Sequence, residues 1–204
     1  MKDFLTIKDK IFRHEFVVEK SRFISFACQV STVGQANFFI ESITKQHYDA
    51  THNCYAYLTD EGQKFSDDGE PQGTAGLPIL NAIKGKNLHN VAVVVTRYFG
   101  GIKLGAGGLV RAYGKAASNV LEEADKVQFL ECAVFKLRCD YTYVSSVEAT
   151  AFSFGKILER EYYTDVMYQV VVPVEKADDF AKKISDITLG RVTAQKIATQ
   201  VVQF

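Results

Sequence analysis

Two stretches of this 204-residue chain concentrate residues able to do chemistry. The first, Phe65-Ser66-Asp67-Asp68-Gly69-Glu70-Pro71-Gln72-Gly73-Thr74-Ala75-Gly76, sets three carboxylates within four positions, just ahead of a helical pattern. Three uses fit. As turn chemistry, Asp bonds its own backbone, Gly takes positive φ and Pro fixes the exit. As a hard-cation site, Asp67, Asp68 and Glu70 would hold Mg²⁺ with several waters, since the ligand spacing of a calcium loop is missing. As an interaction surface, the carboxylates would meet a basic partner. The second stretch runs from Arg97-Tyr98-Phe99-Gly100-Gly101 through Ile102-Lys103-Leu104-Gly105-Ala106-Gly107-Gly108 to Arg111 and Lys115. It opens a long helix, whose free N–H groups and positive dipole end suit an anion. Arg97, Lys103 and Arg111 add charge beside Gly105, Gly107 and Gly108, so phosphate, a carboxylate or an RNA backbone would fit. The competing reading is that the glycines serve close packing or a tight turn.

Other chemistry finds less support. Val110 stands where a dinucleotide fingerprint begun at Gly105 and Gly107 needs its third glycine. A phosphate-loop motif ending at Gly114-Lys115 fails too, because Ala116 follows and Leu109 occupies the first glycine position. There is no G-x-S-x-G. His52 and Cys54 share one strand face, but Cys54 belongs to the inward apolar set and reads as core. His47, His52 and Cys54 lack the second ligand pair of a structural zinc site, so neither a metal nor a cofactor is expected. If the acidic stretch and the glycine-rich stretch share one end of a sheet, they make a cleft of both charge signs. Such a cleft would bind Mg²⁺–phosphate or be an internal ion-pair network, and both readings stay open.

The elements that would position these residues follow from periodicity. Residues 23–30 alternate as a strand, with Ile24, Phe26, Cys28 and Val30 on one face. Ser31-Thr32 offers an N-cap for a helix burying Val33, Ala36, Phe39, Ile40 and Ile43. Residues 52–59 alternate again, 60–73 read as loop, and Thr74 is placed to cap a helix reaching Ile83. The run Val91-Ala92-Val93-Val94-Val95 predicts a strand buried on both faces. Residues 109–124 predict a helix with the stripe Leu109, Tyr113, Ala116, Ala117, Val120, Leu121 and Ala124. The remainder changes rhythm: a strand at 133–139, a helix with Val144, Val147, Ala151, Phe154 and Leu158 inward, a hairpin turning at Thr164-Asp165, a helix ended by Gly190, and a strand at 192–201. That order is βαββαβ, the ferredoxin-like unit. The fold class is therefore α+β, with domains at 1–130 and 131–204.

Composition sets outer bounds. Hydrophobic residues at 47% and charged residues at 24% are ordinary globular values. Lys and Arg total 24 against 24 Asp and Glu, so the chain is no polycation, although a local basic patch remains open. No stretch is long and apolar enough for a membrane helix. Met1-Lys2-Asp3-Phe4-Leu5 runs straight into Lys8, Asp9 and Lys10, unlike a signal peptide, and a cytoplasmic location is expected, with reduced cysteines.

The acidic and glycine-rich stretches, with Lys20-Ser21-Arg22-Phe23 and His52-Asn53-Cys54-Tyr55-Ala56-Tyr57, resemble the IMPACT family, specifically its bacterial YigZ-type branch. The resemblance spans roughly residues 15–125, and the two-domain layout extends it over the chain. It implies a ribosomal protein S5 domain 2-like fold for the first domain and a ferredoxin-like second domain. The pair is similar to the last two domains of elongation factor G, which contact the ribosome. Eukaryotic relatives regulate translation in amino-acid starvation by binding a large ribosome-associated activator of an initiation-factor kinase. No catalytic residues come with the family. The expectation is thus a non-catalytic, translation-linked protein recognising RNA, the ribosome or a protein partner through residues 67–76 and 97–111. Its alternative is a Mg²⁺-dependent enzyme acting on a phosphorylated or nucleotide-like small molecule. Candidate ligand-binding residues are Asp67, Asp68, Glu70, Thr74, Arg97, Lys103, Gly105, Gly107, Gly108 and Arg111. The second domain lacks the aromatic motif of RNA-binding sheets and is expected to be a partner or dimer surface.

Overall fold

A computed structural model describes residues 3–204. The architecture is mixed α+β with two antiparallel sheets. The chain divides into two compact units, Phe4–Val127 and, with Asp3, Gln128–Phe204.

The first unit contains β1 (Phe4–Ile7), β2 (Phe12–Val18), β3 (Ser21–Gln29), α1 (Val33–Gln46), β4 (His52–Thr59), β5 (Gly62–Ser66), α2 (Gly76–Gly85), β6 (Val91–Tyr98) and α3 (Gly105–Glu123). Its sheet runs β2-β3-β6-β4-β5 with every pairing antiparallel. Helices cover both faces. Against one pack Ile79, Leu80 and Ile83 of α2 and the whole predicted stripe of α3, meeting Phe23, Cys54, Ala56 and Val93. Against the other pack Ala36, Phe39, Ile40 and Ile43 of α1, meeting Ile24, Phe26 and Tyr57. β6 lies at the centre, so Val91 through Val95 are all fully buried, each Val contributing about 1.5–3 kcal/mol. That double burial is why the run is continuous rather than alternating.

Several boundaries differ from the sequence reading. β1 and β2 are absent from it: β1 has only four residues, too few for a period, and His14 interrupts the alternation of β2. Part of the expected loop at 60–73 is β5, an edge strand whose Gly62 to Phe65 are all exposed. An edge strand needs no apolar face and leaves no period to find. Helix α3 begins four residues earlier than its apolar stripe, so residues 105–108 of the glycine-rich stretch are its first turn.

The second unit contains β7 (Lys126–Cys139, which begins at the end of the first unit), α4 (Val144–Phe154), β8 (Lys156–Tyr162), β9 (Val166–Pro173), α5 (Ala177–Ile187) and β10 (Gln195–Gln203). The strands are ordered β10-β7-β9-β8, all antiparallel. Val166, Tyr168, Val170 and Val172 face Val147, Ala151, Phe180 and Ile184 of the two helices. Leu158 does not belong to the α4 stripe. It lies in β8 and is half exposed, because Gly155 ends the helix before it.

Candidate functional site

The acidic loop joins β5 to α2 and spends its carboxylates on the protein itself. Asp67 Oδ1 accepts the amide hydrogens of Ala75 (3.0 Å) and Gly76 (2.8 Å), and Oδ2 accepts that of Gly73 (2.8 Å). Burial opposes the Asp67 charge, but the three amide donors outweigh it and hold the carboxyl below its usual pKa. Asp67 therefore caps α2 from the preceding strand end. Thr74 does not cap that helix, as its position suggested: its hydroxyl donates to the Pro71 carbonyl at 2.6 Å. Asp68 Oδ2 accepts the Asn53 amide at 2.6 Å. These commitments argue against the Mg²⁺ reading, and no group of three His, Cys, Asp or Glu among the described residues is arranged to hold a metal.

Glu70 points the other way, into the unit. Its Oε1 accepts from Arg97 Nη1 at 2.6 Å and from the Tyr113 hydroxyl at 2.8 Å. Arg97, on β6, is 5% exposed. Its Nη2 donates to Ser21 Oγ at 3.3 Å, its guanidinium lies over the Phe23 and Phe99 rings, and its Nε has no partner. The glycine-rich turn is folded onto the same spot. The Gly100 amide donates to Ser21 Oγ, and a Cβ on Gly100 would sit 2.0 Å from the Lys20 carbonyl carbon. Cys54 is core, as its spacing indicated. Its thiol donates to the Asp67 carbonyl at 2.9 Å, and burial raises its pKa far from any thiolate role.

The acidic and glycine-rich stretches thus meet, but not as one pocket holding every predicted residue. A cleft of about 430 Å³ is lined by His52, Glu70, Arg97, Phe99, Lys103 and Gly105 among others. A second cleft, of about 530 Å³, is lined by Phe16, Glu19, Lys103, Gly108, Arg111 and Lys115 among others. Lys103 and Leu104 border both. Asp67, Asp68, Thr74 and Gly107 line neither, the first three because their polar atoms bond locally. Lys103, Arg111 and Lys115 form no ion pair with another described residue, although Lys115 lies over the Phe16 ring. Helix α3 starts beside Lys103 without a side-chain cap, and Arg111 and Lys115 follow six and ten residues along it. Four contributors were not among the candidate ligand-binding residues: Ser21, His52, Tyr113 and Lys115. Lys115 alone had a usable signal, its four-residue spacing from Arg111 on one helix face.

The chain is similar to known proteins over both units. The Impact N-terminal domain family matches residues 19–121, and a Domain of unknown function (DUF1949) matches residues 137–191. The IMPACT family member YvyE of Bacillus subtilis is 42% identical over 182 residues, covering 87% of this chain and 84% of that protein. The IMPACT family member YigZ of Escherichia coli is 37% identical over 179 residues, covering 85% and 88%. The rat Protein IMPACT is 34% identical over 111 residues, covering 52% of this chain and 29% of that protein. A crystal structure titled only as that of a hypothetical protein superimposes with a TM-score of 0.62 at 33% identity, covering 97% and 98%.

Proposed function

The chain belongs to the IMPACT family, and on that premise we propose that it is a non-catalytic, translation-linked RNA-binding protein that engages the ribosome in the cytoplasm. The observation that carries this reading is the trio Lys103, Arg111 and Lys115, three cations that line one cleft from the uncapped start of α3 along its first half and have no ion-pair partner among the described residues. Cations left unpaired beside free helix amides suit a phosphate backbone, whose neutralisation drives nucleic-acid affinity. In a chain with no net charge this patch must supply the attraction locally, so binding is modest and salt-sensitive.

The same reading takes residues 1–130 as the S5 domain 2-like domain and 131–204 as the ferredoxin-like, elongation factor G-like domain. The strand order β10-β7-β9-β8 with two helices on one face supports the latter. Co-sedimentation with ribosomes at low salt tests the function. The wild type pellets with ribosomes, and a Lys103→Glu/Arg111→Glu double variant stays in the supernatant. Equal pelleting of the two proteins rejects the reading. With short single-stranded RNA, three phosphate contacts give log affinity a slope of about −2 against log salt.

A further inference from the structure

The 430 Å³ cleft beside the cationic trio carries chemistry that phosphate binding leaves unused. Glu70 lines it with a side chain only 4% exposed. Its Oε1 is taken by Arg97 and Tyr113, while Oε2 accepts no hydrogen bond and is not among the sealed, unpartnered atoms of the described residues. His52 Nε2 lies 3.9 Å from Oε2, beyond hydrogen-bond reach. His52 Nδ1 lies 2.7 Å from the Asp68 carbonyl, which only accepts, so that nitrogen carries the hydrogen. In the neutral ring Nε2 is then a bare acceptor. Two acceptors thus face one cleft, spaced for a single group bearing two hydrogens. The remaining walls are largely apolar, from Pro71, Phe99, Leu104 and Leu109, with Phe99 almost half exposed.

Resting on the RNA reading above, we infer that this cleft takes one unstacked nucleobase carrying an exocyclic amino group: cytosine, adenine or guanine, but not uracil. The amino group donates one hydrogen to Glu70 Oε2 and the other to His52 Nε2. The ring lies against Phe99, as bases of single-stranded RNA stack on aromatic side chains. The adjoining phosphate meets Lys103, which borders both clefts. Uracil puts a carbonyl oxygen where cytosine has its amine, and so sets an acceptor against a buried carboxylate.

Cytidine and uridine octamers at neutral pH and low salt, followed by fluorescence anisotropy, give the test. The expected preference for the cytidine octamer is about tenfold, the size of one good base-edge contact. His52→Ala removes one acceptor without touching the Arg97 pair and narrows the preference to about threefold, since a neutral hydrogen bond contributes about 0.5–1.5 kcal/mol. Glu70→Gln abolishes the preference if the variant folds, which circular dichroism checks, and the His52 variant decides the matter if it does not. Equal wild-type binding of both octamers overturns the base pocket while leaving the phosphate surface standing. Absence of salt-dependent binding to either octamer overturns the RNA reading itself, and the base pocket falls with it.

Discussion

The acidic loop and the glycine-rich turn both carry charges beside a helix start, yet they settle those charges in opposite ways. Asp67, Asp68 and Glu70 are committed to the protein's own backbone, to Arg97 and to Tyr113. Lys103, Arg111 and Lys115 find no ion-pair partner among the described residues. The loop's charge is architecture except at Glu70 Oε2, and the charge of Lys103, Arg111 and Lys115 is left for something else. Charge density in a sequence therefore does not identify a binding surface until each charged atom's partners are counted. Arg97 shows the point most sharply: it belongs to the glycine-rich stretch in sequence but to the acidic loop in space.

That contrast breaks first, and hardest, at the buried pair. Arg97→Met leaves the Glu70 carboxylate in the interior with only Tyr113 to hold it, and loss of one partner of a buried ion pair costs about 3–5 kcal/mol. Urea unfolding monitored by circular dichroism measures it. A cost below about 1 kcal/mol would mean that the pair does not support the loop, and the loop would no longer count as architecture.

Asp67→Ala comes next, at about 2–3 kcal/mol, because three amides of the α2 start lose a charged acceptor. The sign with pH follows from the lowered carboxyl. The folded-state pKa lies below the unfolded value of about 3.9, so the stabilisation is complete above that value and fades as pH falls through the folded pKa. Urea midpoints measured from pH 6 to pH 2.5 should fall more steeply at the acid end in the wild type than in Asp67→Asn. Parallel acid limbs would remove Asp67 from the list of structural carboxylates.

Thr74→Val sharpens the same comparison on a smaller scale. A helix-capping threonine and one tied to a preceding carbonyl occupy the same sequence position but lose different things on substitution. With only its bond to the Pro71 carbonyl at stake, Thr74→Val costs about 1 kcal/mol and leaves the helical circular dichroism unchanged. A frayed α2 would show that the hydroxyl serves the helix after all.

Much of the fold was legible because burial writes a period. The stripes of α1 and α3 and the unbroken valine run of β6 each follow from which faces are covered. The strand β5 and the cap of α2 were not legible. An edge strand imposes no apolar rhythm, and the Asp67 cap acts across seven intervening residues where local capping rules reach only three. Within the site, Lys103 and Arg111 were identifiable by charge beside glycine. Pairing Glu70 with Arg97, 27 positions apart, required knowing that β6 and the β5–α2 loop end together. Ser21 stood in the Lys20-Ser21-Arg22-Phe23 motif without any role attached, because only the folded chain shows that its hydroxyl joins Arg97 to the Gly100 backbone.

The smallest expected effect discriminates most between the two regions. Lys103→Ala, Arg111→Ala and Lys115→Ala each remove an exposed cation that satisfies no carboxylate among the described residues, so Lys103→Ala and Arg111→Ala should shift stability by no more than about 0.5 kcal/mol and Lys115→Ala by no more than about 1 kcal/mol. Lys115 is the strictest case, because its ammonium lies 5.3 Å from the Phe16 ring centre, and an exposed contact of that kind is worth only about 0.5–1 kcal/mol. Retained stability alone would fit any solvent-facing lysine. It becomes informative with the salt dependence of RNA binding, where each substitution that removes a phosphate contact lowers the slope by about 0.7. Unchanged stability with a reduced slope separates this surface from the acidic loop, where every substitution should move stability. A Lys115→Ala protein that unfolds in appreciably less urea would put that lysine among the groups holding the unit together, and the cationic surface would shrink to Lys103 and Arg111.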